Sequence, residues 1–362
     1  MEKIKLAILG GGINSAVGPA HISAISMTNN FELVTACFSS NKSINEESFK
    51  SYNIDSTKIS YDFNQIIAQK ENFEILLILT PTNQHYDQIK VCFENEINVI
   101  SEKSLTVSLA NAIELKRIQN GVFLKVIYNY LGYPMLKLIR EKINNDVIGE
   151  IHQVNIQMPQ ETFVKLKNGK PLVPQKWRVI DDEIPTVSLD LAVHLHSILK
   201  YLIPSQPKRL VAINKSYGHF DVIDNVNSII EFQNRGICNF SFDKTSLGKR
   251  NGLRFEIYGE KGSFLWKQVN PEKLKYINNE GEKFVIDRGS PETDIINDFK
   301  ISRFKAGHPG GYVEALANYY QDICLDFHNG SSLSYGIEES IEGLSLLSAV
   351  NKSSDTVNWV NL

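Results

Sequence analysis

The chain has 362 residues, of which 42% are hydrophobic and 22% charged. At about 150 residues per domain this predicts two domains with a real core, and it excludes a disordered chain or a small disulfide scaffold. With 38 basic and 41 acidic residues and a net charge of -3, there is no long-range positive field to draw nucleic acid or anionic lipid as a partner. The longest aliphatic stretch, residues 75–79, falls far short of the roughly 20 needed to span a bilayer. Residues 1–5 lead straight into an apolar strand pattern, without the succession of a signal peptide. Cys37, Cys92, Cys238 and Cys324 lie far apart with no paired spacing, so they read as buried thiols in a reducing compartment, and the cytoplasm is the expected location.

In chain order, β-rich runs at 4–9, 32–38, 74–80, 98–101 and 123–128 are too apolar for one wet face, as parallel strands covered on both sides are. Helical spacing of apolar residues lies between them, best seen at 84–94 and 108–119. Strand, helix, strand with right-handed crossovers predicts a doubly wound parallel sheet over residues 1–129. Beyond a helix at 134–143 the pattern changes to strand after strand: 151–158, 210–214, 226–232, 237–242, 253–258, 263–268 and 273–277. Residues 130–362 are therefore expected to form an α+β domain on a large, mainly antiparallel open sheet. Helical patterns at 188–202, 312–327 and 337–352 are expected to cover one face of it.

The first strand runs into Gly10-Gly11-Gly12, then Ile13 and Asn14, and reaches Gly18 where a helix opens. Gly10 permits a tight turn, Gly12 lets backbone approach a pyrophosphate, and Gly18 lies where free N–H groups hold phosphate. The spacing is longer than the usual G-x-G-x-x-G, but a strand before and a helix after point to a dinucleotide. An NAD site usually ends its second strand in an acid that binds the ribose. Here Ser39, Ser40 and Lys42 stand there, with no carboxylate before Glu46. Two hydroxyls and a cation suit a 2′-phosphate, so NADP(H) is expected in preference to NAD(H). Thr80, Pro81, Asn83 and His85 follow the third strand, and Glu102 and Lys103 the fourth, both at the edge where open α/β sheets bind ligand.

At these residues the chain resembles the glucose-fructose oxidoreductase, inositol dehydrogenase and rhizopine-catabolism (Gfo/Idh/MocA) family. The likeness covers essentially the whole length: 10–21, 80–85, Glu102-Lys103, 129–135, 149–151, Trp177-Arg178, Asp190 with His194, 258–262 and 307–312. It implies a Rossmann domain, a C-terminal α+β domain that assembles dimers or tetramers through its sheet, a nicotinamide cofactor, and sugar, cyclitol or nucleotide-sugar substrates. By position, Lys103 matches the family's Glu-Lys-Pro lysine, and Asp190 and His194 match its helical Asp-x-x-x-His pair. Residues 190 and 194 share a helix face, so both can converge on one hydroxyl. Alcohol oxidation needs a base for the O–H proton, and Lys103 or His194 can serve with Asp190 orienting them. The same matching places Asn129, Trp177 and Arg178 at the cofactor and Tyr133 at the substrate. His21 and His308 also have family counterparts.

Two positions depart from the family. Ser104 replaces the proline after the lysine, removing a restraint on its predecessor. The glycine-rich approach to the Asp-x-x-x-His helix is replaced by side chains at 183–189, which changes the pocket and therefore the substrate. His196 does not complete a metal site, because on a helix it points roughly 200° from His194. The expected activity is hydride transfer between nicotinamide and a hydroxyl or ketone carbon. A silent nucleotide-binding sensor and an NAD-dependent glycosidase are the alternatives.

Overall fold

The computed structural model describes residues 2–291, 293, 296, 298 and 301–362. The chain forms two compact units, Met1–Gly132 with Tyr312–Ile341, and Tyr133–Gly311 with Glu342–Leu362.

The first unit opens with β1 (Ile4–Gly10), α1 (Gly18–Thr28), β2 (Phe31–Cys37), α2 (Lys42–Ser51), α3 (Phe63–Ile67), β3 (Ile75–Leu79), α4 (His85–Glu94), β4 (Asn98–Ser101), α5 (Leu109–Ile118) and β5 (Leu124–Val126). All strands run parallel in the order β2-β1-β3-β4-β5. Every residue of β3 is buried, the mark of a strand covered on both faces. α1 starts at Gly18-Pro19, where proline lacks only an N–H that would be unpaired anyway. It ends on Asn29 at φ 54°, the left-handed stop that asparagine tolerates. The Asn41 side chain caps α2 by accepting the Ile44 N–H at 3.1 Å. Strand order reverses between β1 and β3, so the crevice where such sheets take ligand lies at the ends that carry Gly10 and Thr80.

The second unit contains α6 (Pro134–Asn144), β6 (Ile151–Pro159), the short hairpin β7 (Leu166–Lys167) and β8 (Lys170–Pro171), and α7 (Val193–Leu202). There follow β9 (Pro207–Lys215), β10 (Asn225–Phe232), β11 (Ile237–Asp243), β12 (Arg254–Gly259), β13 (Gly262–Lys267), β14 (Leu274–Asn278) and β15 (Lys283–Ile286). After them come α8 (Tyr312–Asn329), α9 (Ile337–Thr356) and β16 (Val360–Asn361). The sheet order is β15-β14-β13-β12-β6-β11-β10-β9-β16, antiparallel except where β6 pairs β11. Burial alternates along β10 and β11, with Val226, Ile230, Cys238, Phe240 and Phe242 inward, and Asn227, Ile229 and Asn239 outward, so one face is open.

Two helices differ from expectation. α8 belongs instead to the first unit and packs on α1, with His21 and Tyr320 edge to face at 5.9 Å. The predicted continuous helix over 188–202 begins instead as a π-helical turn, Ser188–Ala192, before α7. No helix among the described residues is long and apolar enough to cross a membrane. All four cysteines are buried free thiols, and burial pushes Cys92 up to about 12.

Candidate functional site

In the first unit the glycine turn is tight for steric reasons. Gly10 and Gly11 have φ +86° and +79°, and a side chain at Gly10 would meet the Leu79 carbonyl carbon at 2.7 Å. At Gly18 a Cβ would lie 2.0 Å from the Gly11 oxygen, so the start of α1 rests directly on the turn. α2 and the end of β2 hold the same turn from the other side. The Gly12 N–H donates to the Phe38 carbonyl at 3.1 Å, the Ile13 N–H to Ser48 Oγ at 3.1 Å, and Tyr52 Oη to the Gly11 carbonyl at 2.9 Å. Ser15 Oγ accepts from the Val17 and Gly18 N–H groups at 3.3 and 3.2 Å, while Asn14 is exposed.

Beside it, Ser39 Oγ accepts the Asn41 N–H at 3.1 Å, Ser40 is exposed, and Lys42 Nζ lies 5.4 Å from the Tyr61 ring centre. Glu46, the first acid after β2, receives the Tyr61 hydroxyl at 3.1 Å. After β3, Thr80 Oγ1 donates to Gln88 at 2.6 Å, and Pro81 and Asn83 are exposed. His85 is fully buried, with its ring nitrogens 2.9 Å from the Thr80 carbonyl and 2.8 Å from the Ser104 carbonyl. Burial lowers its pKa, against the pull of those carbonyls. His85 therefore bears on the site through the two loops it joins.

Glu102 turns its carboxylate into its own unit: Oε1 lies 3.1 Å from His21 Nε2, and Oε2 accepts the Lys103 N–H at 3.1 Å. His21 Nδ1 meets the Tyr320 hydroxyl at 2.7 Å. Lys103 and Ser104 are joined by a cis peptide. Asn129, buried just past β5, has an Nδ2 with no acceptor among the described residues. A buried unpaired donor at the carboxyl edge of a parallel sheet is what a polar ligand satisfies. With the glycine cradle, these residues fit a nicotinamide dinucleotide.

In the second unit the π-helical turn carries Asp190, which is 9% exposed and so almost cut off from water. Its Oδ2 accepts from Arg178 Nη1 and, at 2.5 Å, from Lys244 Nζ. Arg178 stacks on Trp177 at 4.4 Å, and Trp177 Nε1 donates to Gln175 at 3.0 Å. The segment that replaces the glycine-rich approach is pinned. Asp181 accepts the Thr186 and Ile223 N–H groups at 2.8 and 2.7 Å, and Asn351 donates to the Glu183 carbonyl at 3.2 Å. Tyr133, expected at the substrate, is 2% exposed, edge-on to Trp266 at 5.4 Å, with its hydroxyl accepting from Gln268 at 3.0 Å.

Lys244 was not singled out from the sequence. The signal was nonetheless present: it continues the every-second-residue inward series Cys238, Phe240, Phe242. Among the described residues no group of histidine, cysteine and acidic side chains could hold a metal. His196 packs inside against Gly343, where a Cβ would lie 2.9 Å from its Nδ1.

Burial, and secondarily the Lys200 charge, brings His196 down to about 4. An unfolded histidine binds a proton below about pH 6.5, whereas His196 resists protonation to about pH 4. Stability is thus intact above pH 6.5 and declines as pH falls through that window. Between pH 7 and 5 the wild type should lose about 2 kcal/mol that His196→Leu does not lose. Urea unfolding at both pH values measures it, and equal losses in the two proteins would refute it.

Comparison with known proteins agrees with this architecture. Residues 4–130 match the model of the oxidoreductase family's NAD-binding Rossmann fold, and 140–362 match its C-terminal alpha/beta domain. An oxidoreductase of Bacillus subtilis, YfiI, is 26% identical over 90% of this chain and 85% of its own. The scyllo-inositol 2-dehydrogenase (NADP(+)) IolW of the same organism is 20% identical over 98% of this chain and 94% of its own. The crystal structure of an inositol dehydrogenase homolog from Azotobacter vinelandii, complexed with NADH and myo-inositol, superposes with a TM-score of 0.88. It is 23% identical, covering 100% of this chain and 98% of that one. With both of its domains matched in order, the chain belongs to the Gfo/Idh/MocA family of NAD(P)-dependent oxidoreductases.

Proposed function

We propose that this dehydrogenase oxidises a secondary hydroxyl of a cyclitol, sugar or nucleotide-linked sugar, or reduces the corresponding ketone, with NADP(H) preferred to NAD(H). One observation carries the reading: Asp190, four residues before His194, is buried and held by two cations, in a chain whose other unit has a glycine turn too crowded for side chains. A bound nicotinamide would supply the hydride acceptor for oxidation of the substrate carbon and the hydride donor for reduction. Lys103 and His194 carry the hydroxyl proton, one directly and the other as relay. Asp190 serves as acceptor and charge, since its Oδ2 is engaged by Arg178 and Lys244. Gly10, Gly12, Ile13, Asn14 and Gly18 approach the pyrophosphate, and Asn129 offers its buried amide to the cofactor.

The NADP preference is supported by Ser39, Ser40 and Lys42 at the N-terminus of α2, a setting that favours a phosphate. Glu46 accepts the Tyr61 hydroxyl and lies 3.9 Å from Lys42 Nζ, so a 2′-phosphate would draw Lys42 away from it. Titration of nucleotide-free protein, followed by energy transfer from tryptophan to nicotinamide, tests this. NADPH should bind more tightly than NADH, and Lys42→Ala should weaken NADPH about tenfold while leaving NADH within about twofold. An NADH preference would overturn the loop assignment alone. Failure of both nucleotides to bind would remove the dehydrogenase reading.

A further inference from the structure

We infer that Lys244 is a positioning residue that holds Asp190 in place for the reaction, an inference that rests on the dehydrogenase reading. The ammonium is 3% exposed and lies 2.5 Å from Asp190 Oδ2. It also sits 4.9 Å from the centre of the Phe163 ring, whose negative face favours a cation. Its backbone is fixed on both sides: the Lys244 N–H donates to the Asp224 carbonyl at 2.8 Å, and its carbonyl accepts the Phe163 N–H at 2.9 Å. The residue is thus delivered from the end of β11 on a rigid support. A long, flexible side chain is held there in one place.

A buried ammonium is unfavourable unless it is paired, and the carboxylate it meets is already paired with Arg178. Two cations on one oxygen exceed what neutralising Asp190 requires. The second has a geometric use. The turn carrying Asp190 is π-helical, so the regular i to i-4 ladder does not by itself define where that side chain stands. Arg178 comes from a half-buried turn at Lys176–Val179 outside the sheet, whereas Lys244 follows the end of a central strand. Lys244 ties Asp190 to the sheet.

The test uses the full chain and a panel of inositols and pyranoses, with the compound that wild type oxidises fastest. Lys244→Met should lower kcat about tenfold with KM within about twofold. Lys244→Gln, which keeps a donor but no charge, should show the same loss and serves if the methionine variant does not fold, while Lys244→Arg should restore kcat. An unchanged kcat with only a lowered melting temperature would make Lys244 a structural residue and overturn the inference. Failure of the wild type to oxidise any member of the panel would instead overturn the dehydrogenase reading.

Discussion

Replacing Lys103 with methionine is expected to lower hydride transfer about a thousandfold while leaving NAD(P)H affinity within about threefold. The side chain stands immediately after β4, at the edge of the sheet where the glycine turn and Thr80 also end their strands. Its backbone does not depend on its own ammonium. The Lys103 N–H is held by Glu102 Oε2 at 3.1 Å, and the Glu102 N–H by the Ile78 carbonyl at 2.9 Å. The Glu102 carboxylate is fixed in turn by His21, which leans on Tyr320. Methionine keeps the length of the chain and removes only the proton carrier. Single-turnover oxidation and a nucleotide titration of the same preparation measure the two quantities separately. Steady cofactor consumption equal to wild type would take Lys103 out of the proton path.

Gly18→Ala should destabilise the first unit by about 3 kcal/mol and lower dinucleotide affinity at least about tenfold. One methyl group is involved, but it would be placed 2.0 Å from the Gly11 oxygen and 2.5 Å from its carbonyl carbon, both backbone atoms. Nothing there can rotate aside, so either α1 or the turn must move. The turn cannot move freely, because Phe38, Ser48 and Tyr52 hold it from the opposite side. At roughly 2–4 °C per kcal/mol for a unit of this size, the melting temperature should fall by about 10 °C. Gly121→Ala is the control. Gly121 has φ +78°, and a Cβ there meets nothing within 4 Å, so only a backbone cost of about 1 kcal/mol arises. Equal melting of the two variants would show that crowding at Gly18 is not what the turn requires.

The strands were legible because burial writes itself into residue order. The five apolar residues of β3 and the alternation of Val226, Ser228 and Ile230 in β10 need no knowledge of distant partners. β7, β8 and β16 escaped notice because they span two residues each, too few to show a period. α8 was legible as a helix but not by address. Its apolar face, with Ala315, Leu316, Tyr319 and Ile323, would suit a sheet or another helix equally, and only the folded chain sets it on α1. The π-helical turn at Asp190 leaves no mark on the pattern at all, since it differs from an α-helix only in which carbonyl each N–H finds. At the site, Gly10, Gly18, Lys103 and Asp190 could be nominated from sequence. The contacts that fix them or their neighbours, from Ser48 to Ile13, Tyr52 to Gly11, His21 to Glu102 and Lys244 to Asp190, span 35, 41, 81 and 54 positions.

The return of α8 to the first unit has a consequence for biosynthesis. Gly132 ends the opening segment of that unit against the Ala315 carbonyl, with no room for a Cβ, and residues up to Ile341 complete it. Domains that are continuous in sequence can close as the ribosome releases them. Here the nucleotide-binding unit remains unfinished until Ile341 has been translated, and most of the second unit must emerge in the interval. A nascent chain therefore carries an uncovered α1 surface through the synthesis of residues 133–311, and the complete fold of that unit arises only after them.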